Sequence, residues 1–88
     1  MQETFQKLTN EWVALSDFIT VSPDKKYRIQ NRGSDILIAL ESSSEPDADI
    51  YEGTSILPYF EAEYVKGEQD LYLRAYNTSC SVNITSEE

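Results

Sequence analysis

The sequence predicts an all-β protein: a single small β-sandwich or jelly-roll-like domain of seven or eight antiparallel strands, with an N-terminal arm or short helix. Three observations lead there. Apolar and polar residues alternate with period two from about Phe18 onward. The alternating runs are rich in Ile, Val, Tyr and Thr, the residues that strands favour. Turn-forming residues separate the runs at short spacing.

The elements follow in chain order. Phe5, Leu8, Trp12 and Leu15 are spaced three, four and three apart, an amphipathic-helix pattern. Trp12-Val13-Ala14-Leu15 also suits a strand. The organisation adopted is an extended arm over residues 1–10 and a sandwich domain over residues 11–88, its first strand near Trp12; a helix at the N-terminus is the alternative. An apolar N-terminus projecting from so small a domain suits packing on a neighbouring subunit. Ser22-Pro23-Asp24-Lys25 is a turn with proline at its second position. Tyr27 and Ile29 alternate with Arg28 and Gln30. Asn31-Arg32-Gly33-Ser34-Asp35 then reverses the chain. Ile36 to Leu40 is apolar throughout, as in a central strand covered on both faces.

Glu41 to Gly53 is a long acidic loop, with a short edge segment expected at Ile50-Tyr51. Pro58 marks a strand start or an edge, because proline cannot donate to a central ladder. Phe60, Ala62 and Tyr64 alternate with Glu61 and Glu63. Lys66-Gly67 turns the chain again. Leu71, Leu73 and Ala75 then alternate with Tyr72, Arg74 and Tyr76. Asn77-Thr78-Ser79 is expected to join the last two strands as a tight hairpin, and Cys80, Val82 and Ile84 share one face of the final strand.

Composition excludes several function classes. An 88-residue chain is one domain that buries about 60–65% of its extended surface, so self-association would add useful stability. One cysteine rules out an internal disulfide, and without histidine the commonest metal ligand and general base are missing. The net charge is −9, from 16 acids against 7 bases. Nucleic acid and anionic membranes are therefore not expected partners, and no apolar run approaches the roughly 20 residues that span a bilayer. The polar, acidic N-terminus is not a signal peptide, which predicts synthesis in a cytoplasm with Cys80 reduced.

No residue group predicts catalysis, and no cofactor or metal is expected. Cys80 is in core phase with Val82 and Ile84, where cysteine behaves as a small hydrophobe. Asp47, Asp49 and Glu52 lack the spacing of a calcium loop. Glu61 and Glu63 suit a solvated strand face better than a glycosidase pair. The glycosylation triplets at Asn77 and Asn83 have no secretion signal to make them relevant. The six tyrosines and single tryptophan are more informative. Tyr72 and Tyr76 flank Arg74 on the face opposite Leu71 and Leu73, and Tyr and Arg are favoured at interfaces. The expected interface residues are Phe5, Leu8 and Trp12 in the N-terminal segment and Tyr72, Arg74 and Tyr76 on this face.

The order of these segments resembles a known family. Tyr27-Arg28-Ile29-Gln30-Asn31-Arg32-Gly33 leads into Asp35-Ile36-Leu37-Ile38, then a Ser/Glu-Pro-Asp stretch, then Leu71-Tyr72-Leu73-Arg74-Ala75 and a Thr/Ser-Glu tail. From about Trp12 to Glu88 this is similar to the small virion structural proteins of tailed bacteriophages and prophages. The stretch after Glu41 is more acidic than the alanine-rich segment usual there. The resemblance implies a compact β-sandwich that assembles as a trimer or ring and docks on other virion proteins, as a tail accessory or capsid decoration component. Its destination would be the virion. Two other functions fit the composition: a carbohydrate or host-surface binding module at a phage tail, using the tyrosines, and an acidic regulatory protein that mimics nucleic acid.

Overall fold

The computed structural model describes residues 2–87. Met1 of the expected arm and Glu88 of the terminal tail lie outside the described residues. Eight strands form: β1 (Glu3–Thr9), β2 (Val13–Ala14), β3 (Lys26–Asn31), β4 (Leu37–Ser42), β5 (Thr54–Ile56), β6 (Glu61–Val65), β7 (Asp70–Ala75) and β8 (Ser79–Glu87). A single 3₁₀ turn covers Leu15–Asp17.

The pairing follows one rule. β1 pairs with β8, β2 with β7, β3 with β6 and β4 with β5, all antiparallel. The chain is thus one long hairpin whose tip is the β4–β5 connection. Two more antiparallel pairings, β3 with β8 and β4 with β7, roll the hairpin up. The result is two four-stranded sheets, ordered β1-β8-β3-β6 and β2-β7-β4-β5. This is the strand order of an eight-stranded jelly roll, so the expected all-β class and strand number are met.

Rolling has a local consequence. Apart from β4 to β5, each strand is followed by one in the other sheet. Asn77-Thr78-Ser79 is therefore not a hairpin. It carries the chain from β7, paired through Ala75 to Leu37, to β8, paired through Ser79 to Thr9. The turns at Asn31–Asp35 and Lys66–Gly67 likewise cross between sheets.

Alternation now has a physical meaning. Leu8, Tyr27, Ile29, Tyr64, Val82 and Ile84 point inward from the first sheet, and Leu37, Ile56, Leu71, Leu73 and Ala75 from the second. Buried Cys80 belongs to the same core. β4 is covered on both faces, as its unbroken apolar run predicts. Leu37 faces the inter-sheet core, while Ile38 joins Trp12 and Tyr72 in a second cluster on the outer face. Tyr27 is buried, and its hydroxyl accepts from the Ser22 amide and donates to the Thr20 carbonyl. Tyr27→Phe is expected to cost about 1–2 kcal/mol in chemical denaturation, because the Ser22 amide loses its acceptor.

The N-terminus corrects two expectations. Among the described residues no α-helix forms here, and residues 3–9 are not a projecting arm but the edge strand of the first sheet, in register with residues 79–85 of β8. The sandwich therefore begins at β1 rather than at residue 11. The three-four-three spacing arises from separate environments. Leu8 and Leu15 enter the core, Trp12 enters the outer cluster, and Phe5 stays exposed. The edge segment expected at Ile50-Tyr51 also does not form; the edge strand lies later, at Thr54–Ile56.

Candidate functional site

The face carrying Tyr72, Arg74 and Tyr76 is closed by the protein itself. Tyr72 and Arg74 point outward from β7, the second strand of its sheet, but residues 43–53 fold back over them. Arg74 is only 2% exposed. Its Nη1 donates to the carbonyls of Ala48 (2.8 Å) and Ile50 (3.0 Å). Its guanidinium carbon lies 4.1 Å from the Tyr51 ring centroid and 5.2 Å from that of Trp12. Trp12 Nε1 donates to the Asp47 carbonyl at 3.2 Å. The acidic loop is thus held by a cation between two aromatic faces. Of the three residues expected to present a surface here, Arg74 and Tyr72 are buried. Burial, with the nearby Asp70, Glu45 and Asp17, raises the Tyr72 phenol above its usual range. Tyr76 remains half exposed, edge-on to Tyr51.

Gly53 lets the loop return. Its φ is +134°, and a Cβ there would collide with the Ala39 carbonyl oxygen of β4. Gly53→Ala is expected to cost at least about 2 kcal/mol, combining a strained φ with a backbone clash. Thermal unfolding checks this.

A second buried polar group sits at the sheet-crossing corner. Asn31 Nδ2 donates to the carbonyls of Asp35 (2.7 Å) and Ile56 (2.8 Å). Its Oδ1 accepts from the Gly33 amide and from the Cys80 thiol, both at 2.9 Å. The Asp35 carboxylate accepts from the amides of Ile36, Asn77 and Thr78 and from Asn77 Nδ2, at 2.8–3.1 Å. Burial and the Asp35 charge push the Cys80 thiol up. Cys80 is thus a protonated hydrogen-bond donor at neutral pH, a structural role rather than a nucleophilic one.

Other acids do not converge. Among the described residues no group of three or more His, Cys, Asp or Glu side chains is placed to hold a metal ion, which includes Asp47, Asp49 and Glu52. Glu61 and Glu63 lie on the exposed face of the first sheet, where they pair with Arg28 (3.1 Å) and Lys26 (3.2 Å).

The main exposed apolar feature is one the alternation pattern does not mark. Leu57-Pro58-Tyr59-Phe60 forms a turn closed by a bond from the Phe60 amide to the Leu57 carbonyl, 3.0 Å. Proline at the second position and a φ of +67° at Tyr59 give it the features of a type II turn. Glycine usually fills that third position, and a tyrosine there costs about 1–2 kcal/mol of strain. β3 holds it in place: Tyr59 donates to the Asn31 carbonyl (2.8 Å) and Asn31 donates to the Phe60 carbonyl (2.9 Å). Tyr59 is 73% exposed and Phe60 63%. Alternation places Phe60 in phase with Ala62 and Tyr64, but β6 starts only at Glu61 and Phe60 belongs to the turn, exposed rather than turned inward. The sequence signal for the turn is Pro58 followed by two aromatics. Nearby, a cleft of ≈ 360 Å³ opens between β5 and β6, lined by Glu41, Thr54, Glu63, Tyr64 and Gln69 among others.

The N-terminal residues separate in the same way. Leu8 and Trp12 are buried, while Phe5 is 66% exposed on the outer face of the edge strand. Among the described residues the exposed large apolar side chains are therefore those of the Leu57–Phe60 turn, Phe5 on β1, Val65 at the end of β6, and Tyr51 and Tyr76 at the rim. The chain matches no family model, no curated protein and no solved structure.

Proposed function

We propose that this chain is a non-enzymatic structural protein of a bacteriophage particle, a tail accessory or capsid decoration component that self-associates and docks on the particle. The observation that carries the docking part is the Leu57–Phe60 turn. Two aromatic side chains project into solvent from a backbone whose strain persists because β3 clamps it on both sides. A rigid aromatic anchor loses little entropy on binding, and strained, exposed positions cluster at functional sites. The assignment to a virion rests on the sequence resemblance, and the jelly roll is an architecture used by capsid domains. The resemblance also supplies the trimer or ring as the expected assembly.

Mass spectrometry of purified particles tests the location, and absence of the chain from particles defeats the proposal. Tyr59→Gly tests the anchor. Glycine relieves the positive φ, so thermal stability is expected to equal or exceed that of the parent protein. Incorporation into particles is expected to fall at least about tenfold with loss of the ring. Unchanged incorporation removes the turn from the docking surface.

The cleft between β5 and β6 favours one other reading, a saccharide-binding module. The Glu41 carboxylate, the Thr54 hydroxyl and the Gln69 amide, near Tyr64, are groups that can hydrogen-bond sugar hydroxyls. A glycan array separates the two, since saccharide binding reduced by Gln69→Ala would favour the second.

A further inference from the structure

The jelly roll leaves four strand edges, and they differ in length. β2 has two residues and β5 three, too short to template a partner strand. β6 has five and is acidic along its exposed face. Two copies of β6 paired about Ala62 or Glu63 would set glutamate against glutamate. β1 has seven residues with no proline and no bulge, two features by which exposed edges are usually protected, and its only charges are Glu3 and Lys7, of opposite sign, which a second copy can match.

The hydrogen-bonding direction of β1 can be fixed. The Ser86 amide donates to the Gln2 carbonyl at 2.8 Å, continuing the register in which Thr4 faces Ile84 and Gln6 faces Val82. Bonded pairs alternate along an antiparallel ladder. Gln2, Thr4, Gln6 and Leu8 therefore turn their backbone groups toward β8, and Glu3, Phe5, Lys7 and Thr9 turn theirs outward. No backbone partner meets those four outward-facing residues among the described residues. Their side chains stand on the exposed outer face of the sheet. Among the described residues Lys7 forms no ion pair, and Glu3 accepts from Asn83 Nδ2 at 3.2 Å and from no other side chain.

We propose that the β1 edges of two copies pair antiparallel about a two-fold axis at Phe5, joining the β1-β8-β3-β6 sheets of both copies into one. That register sets Phe5 against Phe5 of the second copy, Glu3 against its Lys7, and Lys7 against its Glu3. Each of these three pairs exchanges two N–H···O=C bonds. Neighbouring registers lose the match. Centring on Glu3 or Lys7 opposes like charges, and centring on Thr4 or Gln6 leaves both charges without an opposite partner. Two exposed phenylalanines cover each other, and both cross-strand pairs carry opposite charges. The contact is isologous, so by itself it closes a dimer; with a separate ring contact it joins two rings back to back.

This inference rests on the self-association in the proposed function, and the test separates the two. Sedimentation velocity on the full chain over a concentration series is expected to show reversible dimerisation. Lys7→Glu places glutamate opposite glutamate at both ends and is expected to weaken association at least about tenfold. Glu3→Lys, with lysine opposite lysine, should do the same. The double variant Glu3→Lys, Lys7→Glu restores opposite charges in the same register and is expected to recover the parent constant within about threefold. Both substituted residues, Glu3 and Lys7, are exposed on the edge strand, and far-ultraviolet circular dichroism verifies the fold of each variant. A parent protein that stays monomeric at its highest soluble concentration overturns both the self-association and the edge contact. A parent that associates, with single variants unchanged or a double variant that fails to recover, overturns the edge contact alone.

Discussion

Replacing Asp35 with alanine is expected to destabilise the protein by about 3 kcal/mol and lower its Tm by about 15 °C. The residue is 8% exposed. One carboxylate oxygen accepts from the Asn77 and Thr78 amides and the other from the Ile36 amide and Asn77 Nδ2. These donors belong to two different sheet-crossing turns. Alanine leaves several N–H groups without an acceptor at a corner closed by backbone, and a charged acceptor is worth more than a neutral one. Asp35→Asn keeps the shape but turns an amide NH₂ toward N–H donors, so it is expected to recover less than half of the loss.

The pH dependence carries the same signature. Burial of Asp35 opposes ionisation, but the amides of Asn77, Thr78 and Ile36 and the Asn77 side chain outweigh it and hold the carboxyl below its ordinary value of 3.8. A depressed folded-state pKa means that the unfolded chain takes up the proton first. The stabilisation is therefore complete above the unfolded pKa and is lost as pH falls from about 4 through the folded value. Urea midpoints measured from pH 6 to pH 2 are expected to fall more steeply for the parent protein than for Asp35→Ala, so that the two converge in acid. Parallel curves would show that the carboxylate charge is not what holds the corner.

Asp35 also marks where sequence and structure part. Alternation located the central parts of most strands and the core phase of Cys80, because a period of two is set by the pleat of each strand alone. It could not say which sheet a strand joins. Asn77-Thr78-Ser79 has the composition of a hairpin turn, and nothing within three residues reveals that an Asp 42 positions earlier receives the Asn77 amide. The N-terminal spacing failed for a related reason. Phe5, Leu8, Trp12 and Leu15 are consistent with one helical face, and only pairing with residues 79–85 of β8, far along the chain, makes the segment a strand. The aromatic turn is hidden in the sequence because its special conformation is a positive φ at a tyrosine, where the usual cue is glycine.

Arg74 shows the same limit, and its replacement is the second large effect expected. From period two alone, an arginine between two outward tyrosines belongs to an open face. The structure instead desolvates it, at a cost of several kcal/mol for an uncompensated ion. Its Nε is buried with no hydrogen-bond partner, and among the described residues its contacts are carbonyls and rings rather than a carboxylate. Compensation comes from the two loop carbonyls, the faces of Tyr51 and Trp12, and the net charge of −9 around it. Arg74→Ala removes all of these at once and leaves a cavity beneath the loop, so a loss of about 3 kcal/mol is expected. Arg74→Lys keeps the charge but not the flat guanidinium that lies between the rings, and is expected to cost about 1–2 kcal/mol. Because Trp12 is the only tryptophan and is bonded to the loop through Asp47, its emission should shift to the red in Arg74→Ala as the loop opens to water. Limited proteolysis should then cut within residues 43–53 at concentrations of protease that spare the parent. If emission and cleavage stay unchanged while stability falls, the arginine supports the sheet rather than the loop. If both change, the acidic loop is a cover that this one cation holds down.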